Sequence, residues 1–247
     1  VVGFTSGIAV VIFSTQINDF AGLGMMEVPA EMVSKWSAYA RHISTLNPYA
    51  VLLGITSLLL TVLLPKLTPR IPGPLAAIMV CTAAAWFLHW PVETIEGRFG
   101  AIPNTLPMPG IAPISMATLR ELIQPAIAIA LLGSIESLLS AVVSDGMIGG
   151  RHRSNMELVA QGGANMLSAL FGGIPATGAI ARTATNVKNG GRTPMAGIVH
   201  ALTLLVIMLV AAPLAGKIPL ACLAGILIVV AYNMSEWRSF RTILKGD

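Results

Sequence analysis

The chain has 247 residues, of which 55% are hydrophobic and 11% charged, with a mean hydropathy of +0.78. A soluble domain carries about 25% charged residues, so this composition excludes one and points to a polytopic membrane protein. The net charge of +4 decides little, because in a membrane protein the location of charge matters more than its sum.

In chain order the apolar pattern predicts eight segments, at about 1–23, 49–65, 71–90, 122–145, 155–172, 177–189, 194–212 and 217–234. Seven are long enough to span a bilayer or nearly so. The sixth is not: its thirteen residues reach about 20 Å at 1.5 Å each, against a hydrocarbon core of about 30 Å. Most connections are short and rich in Pro and Gly. Residues 91–121 form the exception, and the prolines there suit an ordered loop on the membrane surface better than another span. Cys81 and Cys222 sit in apolar runs and read as small packing residues, not as a disulfide. Trp36, Trp86, Trp90 and Trp237 fall near span ends, as interfacial anchors do. No initiator Met or signal-peptide pattern opens the chain, which reads as an internal piece of a longer polypeptide.

Charge orients the segments. With alternating sides, one side holds Lys66, Arg70, Arg151, Arg153, Lys188, Arg192, Arg238, Arg241 and Lys245. The other holds Lys35, Arg41, Arg98, Arg120 and Lys217. The richer side is cytoplasmic by the positive-inside rule, which places both ends of the piece in the cytoplasm.

Two ionisable residues remain inside the membrane, Glu136 and Arg182. Each costs about 2.5–3.5 kcal/mol at the bilayer centre on insertion scales, so each needs a cavity or a partner. Glu136 lies in "LLGSIESLLSAVVSD", with Ser140 and Ser144 following at helical spacing on one face and Gly133 near the same stripe. One reading makes Glu136 and Ser140 a pair lining a cavity that holds a proton or Na⁺. The other makes Glu136 a structural tie, through hydrogen bonds or through Arg182.

Arg182 follows the break "FGGIPATGAIARTATNVKNGGRTP". With Thr177 or Gly178 capping a short helix, Arg182 falls near its positive end, where an Arg alone is unfavourable. An anion in front of the helix, bound by free N–H groups and the guanidinium, removes the conflict. The extended "GGIPA" ahead of it needs hydrogen-bond partners elsewhere, which a membrane allows only inside the protein or along a cavity. A broken helix aimed at an anion is a recurrent site in secondary transporters. The competing reading is a re-entrant loop with a structural Arg.

The remaining motifs are weaker. His200, alone in an apolar span, reads as a packed core residue more readily than as a proton carrier. Arg151, His152 and Arg153 read as a solvated cytoplasmic loop and not as a ligand site. "GFTSG" and "GIPATG" lack the Lys-Ser/Thr of a phosphate loop. The sequence shows no metal cluster, nucleophile triad or nucleotide fingerprint. It therefore predicts no enzyme, cofactor, metal or nucleic-acid partner.

Four stretches carry a resemblance: "VGFTSGIAVVIFSTQINDFAGL", "IPGPLAAIMV", "LLGSIESLLSAVVSDGMIGGRHRSNMELVAQGGANMLSALFGGIPATGAIARTATNV" and "IPLACLAGILIVVAYNMSEW". Together, over almost the whole length, the chain resembles the SulP family of anion permeases. The resemblance implies an all-α polytopic fold, part of an inverted-repeat arrangement of seven plus seven segments, with a short extended stretch before a half-helix. On that template residues 1–90 are gate-domain segments five to seven, and 91–121 an extracytoplasmic surface loop. Residues 122–213 are core segments eight to eleven with half the substrate site. Residues 214–247 are the twelfth segment, which opens the gate part of the second repeat, and a cytoplasmic end.

The resemblance further implies that Thr177, Gly178, Ala179 and Ile180 contact substrate, with Arg182 supplying positive potential. It places Glu136 at an acidic position, followed by Ser140. Glu where sodium-coupled bicarbonate members resemble Asp favours proton over sodium coupling. The expected protein is a homodimeric secondary transporter of the plasma (bacterial inner) membrane. It would move a dicarboxylate, sulfate or bicarbonate by elevator-like motion of core against gate. A sodium-coupled anion symporter, an anion channel of the same family and a nucleobase-type permease are the alternatives.

Overall fold

A computed structural model describes residues 2–25, 27–68, 71–111 and 113–235, with backbone alone for 2–5 and 181. Trp237, and Arg70, Arg238, Arg241 and Lys245 of the charge count, lie outside these residues. Among the described residues there are ten α-helices and no strand. They are α1 Val2–Ala21, α2 Met32–Arg41, α3 Pro48–Leu67, α4 Gly73–Phe87, α5 Ile95–Phe99, α6 Met116–Ile148, α7 Ser154–Leu170, α8 Ile180–Lys188, α9 Met195–Gly216 and α10 Leu220–Met234.

Three helices, α3, α6 and α9, are long and apolar enough to cross a bilayer. The chain is a multi-pass membrane protein. Helices α4 and α10 are the segments that only nearly span. Each has 15 residues, about 22 Å of helix against about 30 Å of hydrocarbon. In both, Pro72 or Pro219 precedes the first turn in extended conformation, so part of each apolar run is not helical.

Local chemistry explains other boundaries. Asn47 caps α3, its Oδ1 accepting from Tyr49 N at 3.0 Å and Ala50 N at 3.4 Å, with Pro48 in the first turn. Ser115 caps α6 by accepting from Thr118 N at 3.1 Å, so α6 starts inside the expected loop and carries Pro125 within it. The same region holds the short α5, started by Thr94. Helix α2 falls between predicted segments; its alternation of polar and apolar residues leaves no apolar run to signal it.

The chain divides into two compact units, Val1–Pro103 with Val210–Asp247, and Asn104–Leu209. In the first unit α10 packs against α1 and α3, and α3 against α4. The core holds Ala50 and Leu53 of α3, Ala77, Cys81 and Ala85 of α4, and Ala221 and Cys222 of α10. Small residues bring the backbones close. A Cβ added at Gly225 would lie 2.6 Å from Gly54 O, and one at Gly54 would lie 2.7 Å from the Phe20 ring. Ser57 Oγ donates to Cys222 O at 2.7 Å across the same seam. Both cysteines are buried, with no bridge between them. At one edge, Leu220 N donates to Glu93 O at 2.9 Å and Ile95 N to Ile218 O at 3.1 Å. Arg98 pairs there with Asp19 at 2.8 Å and also with Glu93.

The second unit contains α6, α7, α8 and the first part of α9. Its principal packing is α6 against α8 and α6 against α7. His200 on α9 is exposed, and is not a packed core residue in this unit.

Candidate functional site

The break in the sequence forms an extended stretch, 173–179, that leads into α8. Pro175 cannot donate a backbone hydrogen bond, and extended backbone at membrane depth must be satisfied from outside itself. Helix α7 does much of this. Asn165 accepts from Ala176 N at 2.8 Å through Oδ1 and donates to Ala176 O at 2.9 Å through Nδ2. Gln161 Nε2 donates to the same carbonyl, and Ser168 Oγ donates to Ile174 O at 3.2 Å. Gln161, Asn165 and Ser168 are spaced four and three apart, so one face of α7 serves the stretch.

Helix α6 anchors the other side. Thr177 Oγ1 donates to Gly133 O at 2.8 Å, and Gly178 N donates to Ser137 Oγ at 3.2 Å. The Ser137 and Thr177 hydroxyls are 2.9 Å apart. A carbonyl only accepts, so the one Thr177 proton is spent on Gly133 and Ser137 is the donor to Thr177. The result is a directed chain, Gly178 N–H to Ser137 to Thr177 to the Gly133 carbonyl. One turn further, the Ser140 and Thr183 hydroxyls meet at 2.6 Å. The contact needs the glycine: a Cβ at Gly178 would lie 3.2 Å from Ser140 Cβ and 3.3 Å from Ser137 Cα.

These bonds correct the expected cap. Neither Thr177 nor Gly178 caps α8; the N-cap is Ala179, extended and without a side-chain bond. The Thr177 hydroxyl that could have capped the helix is turned onto α6 instead. The first bond into the helix runs from Thr183 N to Ala179 O at 2.9 Å, so the N–H groups of Ile180, Ala181 and Arg182 lie ahead of the ladder. The helix has nine residues, shorter than the expected thirteen.

Arg182, in the first turn, is exposed. Glu136 is half-buried on α6 beside the Ser137–Ser140 face. Among the described residues neither forms an ion pair, so the tie between them that one reading allowed is not made. Ser140 is buried against α8, while Ala179 and Ile180 are half-buried at its start. The structure thus gathers Thr177, Gly178, Ala179, Ile180, Ser140 and Arg182 around one helix end. Thr177 and Ser140 act there as anchors through their hydroxyls.

Ser137, Thr183, Gln161 and Asn165 were missed by sequence reading. The spacing Gly133, Ser137, Ser140 was a usable signal, as was the Gln161–Asn165 pair in an apolar helix. A second correction concerns the turn after α6. His152 is not simply solvated: its Nδ1 lies 2.7 Å from Asp145 Oδ2 and its Nε2 lies 2.9 Å from Ser154 Oγ. Asp145, His152 and Ser154 thus form a line of hydrogen-bonded side chains across this turn. Among the described residues no cluster of His, Cys, Asp or Glu could hold a metal ion.

Broken and short apolar helices, with a helix start held by backbone clamps, make this a polytopic membrane protein. The model of the sulfate permease family matches residues 1–247, and the chain belongs to that family. The family is one of permeases, which are not enzymes. The chain is 44% identical over 246 residues to a protein of Bacillus subtilis named a putative sulfate transporter, covering 99% of this chain and 46% of that protein. It is 34% identical over 239 residues to the bicarbonate transporter BicA of a Picosynechococcus species, covering 95% and 41%. The chain therefore spans about half the length of the curated relatives it matches. Its structure resembles the transmembrane domain of a cyanobacterial BicA with a TM-score of 0.79 at 31% identity, covering 95% of this chain and 59% of that one. It shares the fold of SLC26A9 with a TM-score of 0.83 at 19% identity, over 95% and 38%.

Proposed function

We propose that the chain is the part of a secondary active transporter that presents one half of a binding site for a small oxyanion. The observation that carries this is the start of α8. An extended stretch clamped by α6 and α7 holds three N–H groups ahead of the helical ladder beside an exposed Arg182 that pairs with no carboxylate among the described residues. The helix dipole and the guanidinium then both favour one bound anion. Glu136 is the carboxylate for a coupling proton, close enough along α6 to sense the same site. The first unit acts as gate and the second as core, moving past one another during transport. The names of the relatives support sulfate or bicarbonate as substrate. The protein sits in the plasma membrane, with the ends that carry Lys66, Arg151, Arg153 and Lys188 in the cytoplasm.

The test is uptake of sulfate and of bicarbonate by the full-length protein in proteoliposomes under imposed pH and Na⁺ gradients. Loss of a charge-assisted hydrogen bond costs about 1.5–3 kcal/mol, so Arg182→Ala lowers uptake at limiting substrate about tenfold to a hundredfold. Glu136→Gln removes the dependence on the pH gradient. Wild-type uptake in the first variant contradicts the anion assignment, and an unchanged pH dependence in the second contradicts the coupling assignment.

A further inference from the structure

The turn between α6 and α7 carries a second polar constellation, independent of α8. Asp145 lies nine residues beyond Glu136, about 13 Å along α6. Its Oδ2 accepts from His152 N at 2.8 Å and faces His152 Nδ1 at 2.7 Å, while Ser154 Oγ sits 2.9 Å from His152 Nε2. The His152 and Asp145 side chains are 19% and 26% exposed, so solvent reaches them only in part. An open surface pocket of about 690 Å³ lies beside them, lined by Asp145, Arg151, His152, Arg153, Ser154 and two further α7 residues.

Hydrogen positions follow from the partners. A carboxylate only accepts, so Nδ1 carries the ring hydrogen of neutral His152 and Nε2 is left as an acceptor. Ser154 must then donate its only proton to Nε2, which withdraws it from the pocket. When Nε2 takes a proton from solvent, the direction reverses. Nε2–H donates to Ser154 Oγ, and the Ser154 O–H rotates about its Cβ–Oγ bond to face the pocket; no bond to Ser154 oxygen breaks. The same event adds a positive charge to a turn that already carries Arg151 and Arg153. The charged groups lining the pocket with His152 are Asp145 from α6 and Arg151 and Arg153 from the turn; α7 lines it with Ser154, Asn155 and Met156, all uncharged.

We propose that this turn is a proton-gated site for an oxyanion, in which protonation of His152 releases the Ser154 hydroxyl and completes a donor set with Arg151 and Arg153. The ligand is a sulfate-like or phosphate-like group, either free in solution or on an anionic lipid headgroup. Because the binding of proton and anion is reciprocal, an anion that prefers the protonated form raises the midpoint of His152 titration by the same factor.

The experiment follows the His152 ring by NMR in the full-length protein, in phosphatidylcholine nanodiscs, from about pH 5 to 8, with His152→Gln assigning the signal. Sulfate is expected to raise the midpoint by about one pH unit, which corresponds to about tenfold tighter binding to the protonated form. The shift is expected to persist in Arg182→Ala and to vanish in the Arg151→Gln/Arg153→Gln double variant, whose side chains are exposed and whose fold is checked by the remaining histidine signals. A rise produced by phosphatidylglycerol and not by sulfate supports the site with lipid as its source of oxyanion. No rise with either, a rise that survives the double Arg variant, or a rise lost in Arg182→Ala overturns the proposal.

Discussion

The two units hold themselves together by different means. In the first, α3 and α10 approach until Gly225 touches the Gly54 carbonyl, and a continuous core of Ala, Leu and Cys joins α3, α4 and α10. In the second, the joints are polar: two hydroxyl pairs between α6 and the α8 region, and amide clamps from α7 onto Ala176. Fewer side chains are buried there, with 11% of the most apolar stretch of α6 buried against 22% of that of α3. Close packing resists deformation along its whole length, while hydrogen bonds position particular atoms. The first suits a rigid support and the second suits the presentation of three N–H groups and an Arg.

The comparison is broken most strongly at Gly225. A Val there must displace the Gly54 backbone, and overpacking of this kind costs about 1–3 kcal/mol or more. Gly225→Val is expected to lower the melting temperature of the purified full-length protein and its yield together. A melting temperature equal to wild type would show that the seam between α3 and α10 is looser than its glycines suggest.

Asn165→Ala sharpens the same contrast with a smaller and more local effect. It strips the Asn165 bonds from both backbone groups of Ala176 and leaves Gln161 alone on the carbonyl, at a cost of about 0.5–1.5 kcal/mol for each hydrogen bond lost. Since stability is not uniform across a structure, the loss is expected as hydrogen exchange about tenfold or more faster at residues 174–182, with the melting temperature little changed. A global loss of stability without local exchange would mean that the clamp belongs to the core of the protein and not to its site.

Much of this arrangement was legible in the sequence. Seven of the eight apolar segments contain a helix of the structure at nearly the expected place, and the short sixth marks α8. The extended "GGIPA" was legible because Pro and Gly constrain the backbone locally. Two kinds of feature were not. Helix α2 carries Lys35 and Tyr39 on its buried side and has no apolar run, so a search for spans passes over it. The partners of the break were hidden because they lie on other helices. A Ser in an apolar helix signals a hydrogen bond without naming its recipient, and only the packing of α6 on α8 matches Ser137 to Thr177 and Ser140 to Thr183. The expected N-cap failed for the same reason: the Thr177 hydroxyl donates to Gly133 O and accepts from Ser137 on α6, and not from an N–H of its own helix.

The central claim is that an anion sits at the start of α8. Ala179 is the N-cap there and is half-buried, while the two cysteines within these 247 residues are fully buried in the first unit. The most direct measurement is the rate at which a charged thiol reagent modifies Ala179→Cys in the full-length protein, with and without saturating sulfate or bicarbonate. The account predicts that the substrate anion slows modification at least about tenfold, the protection expected of a site occupied at ten times its dissociation constant, and that Arg182→Ala abolishes the protection. Equal rates with and without every anion transported would contradict it.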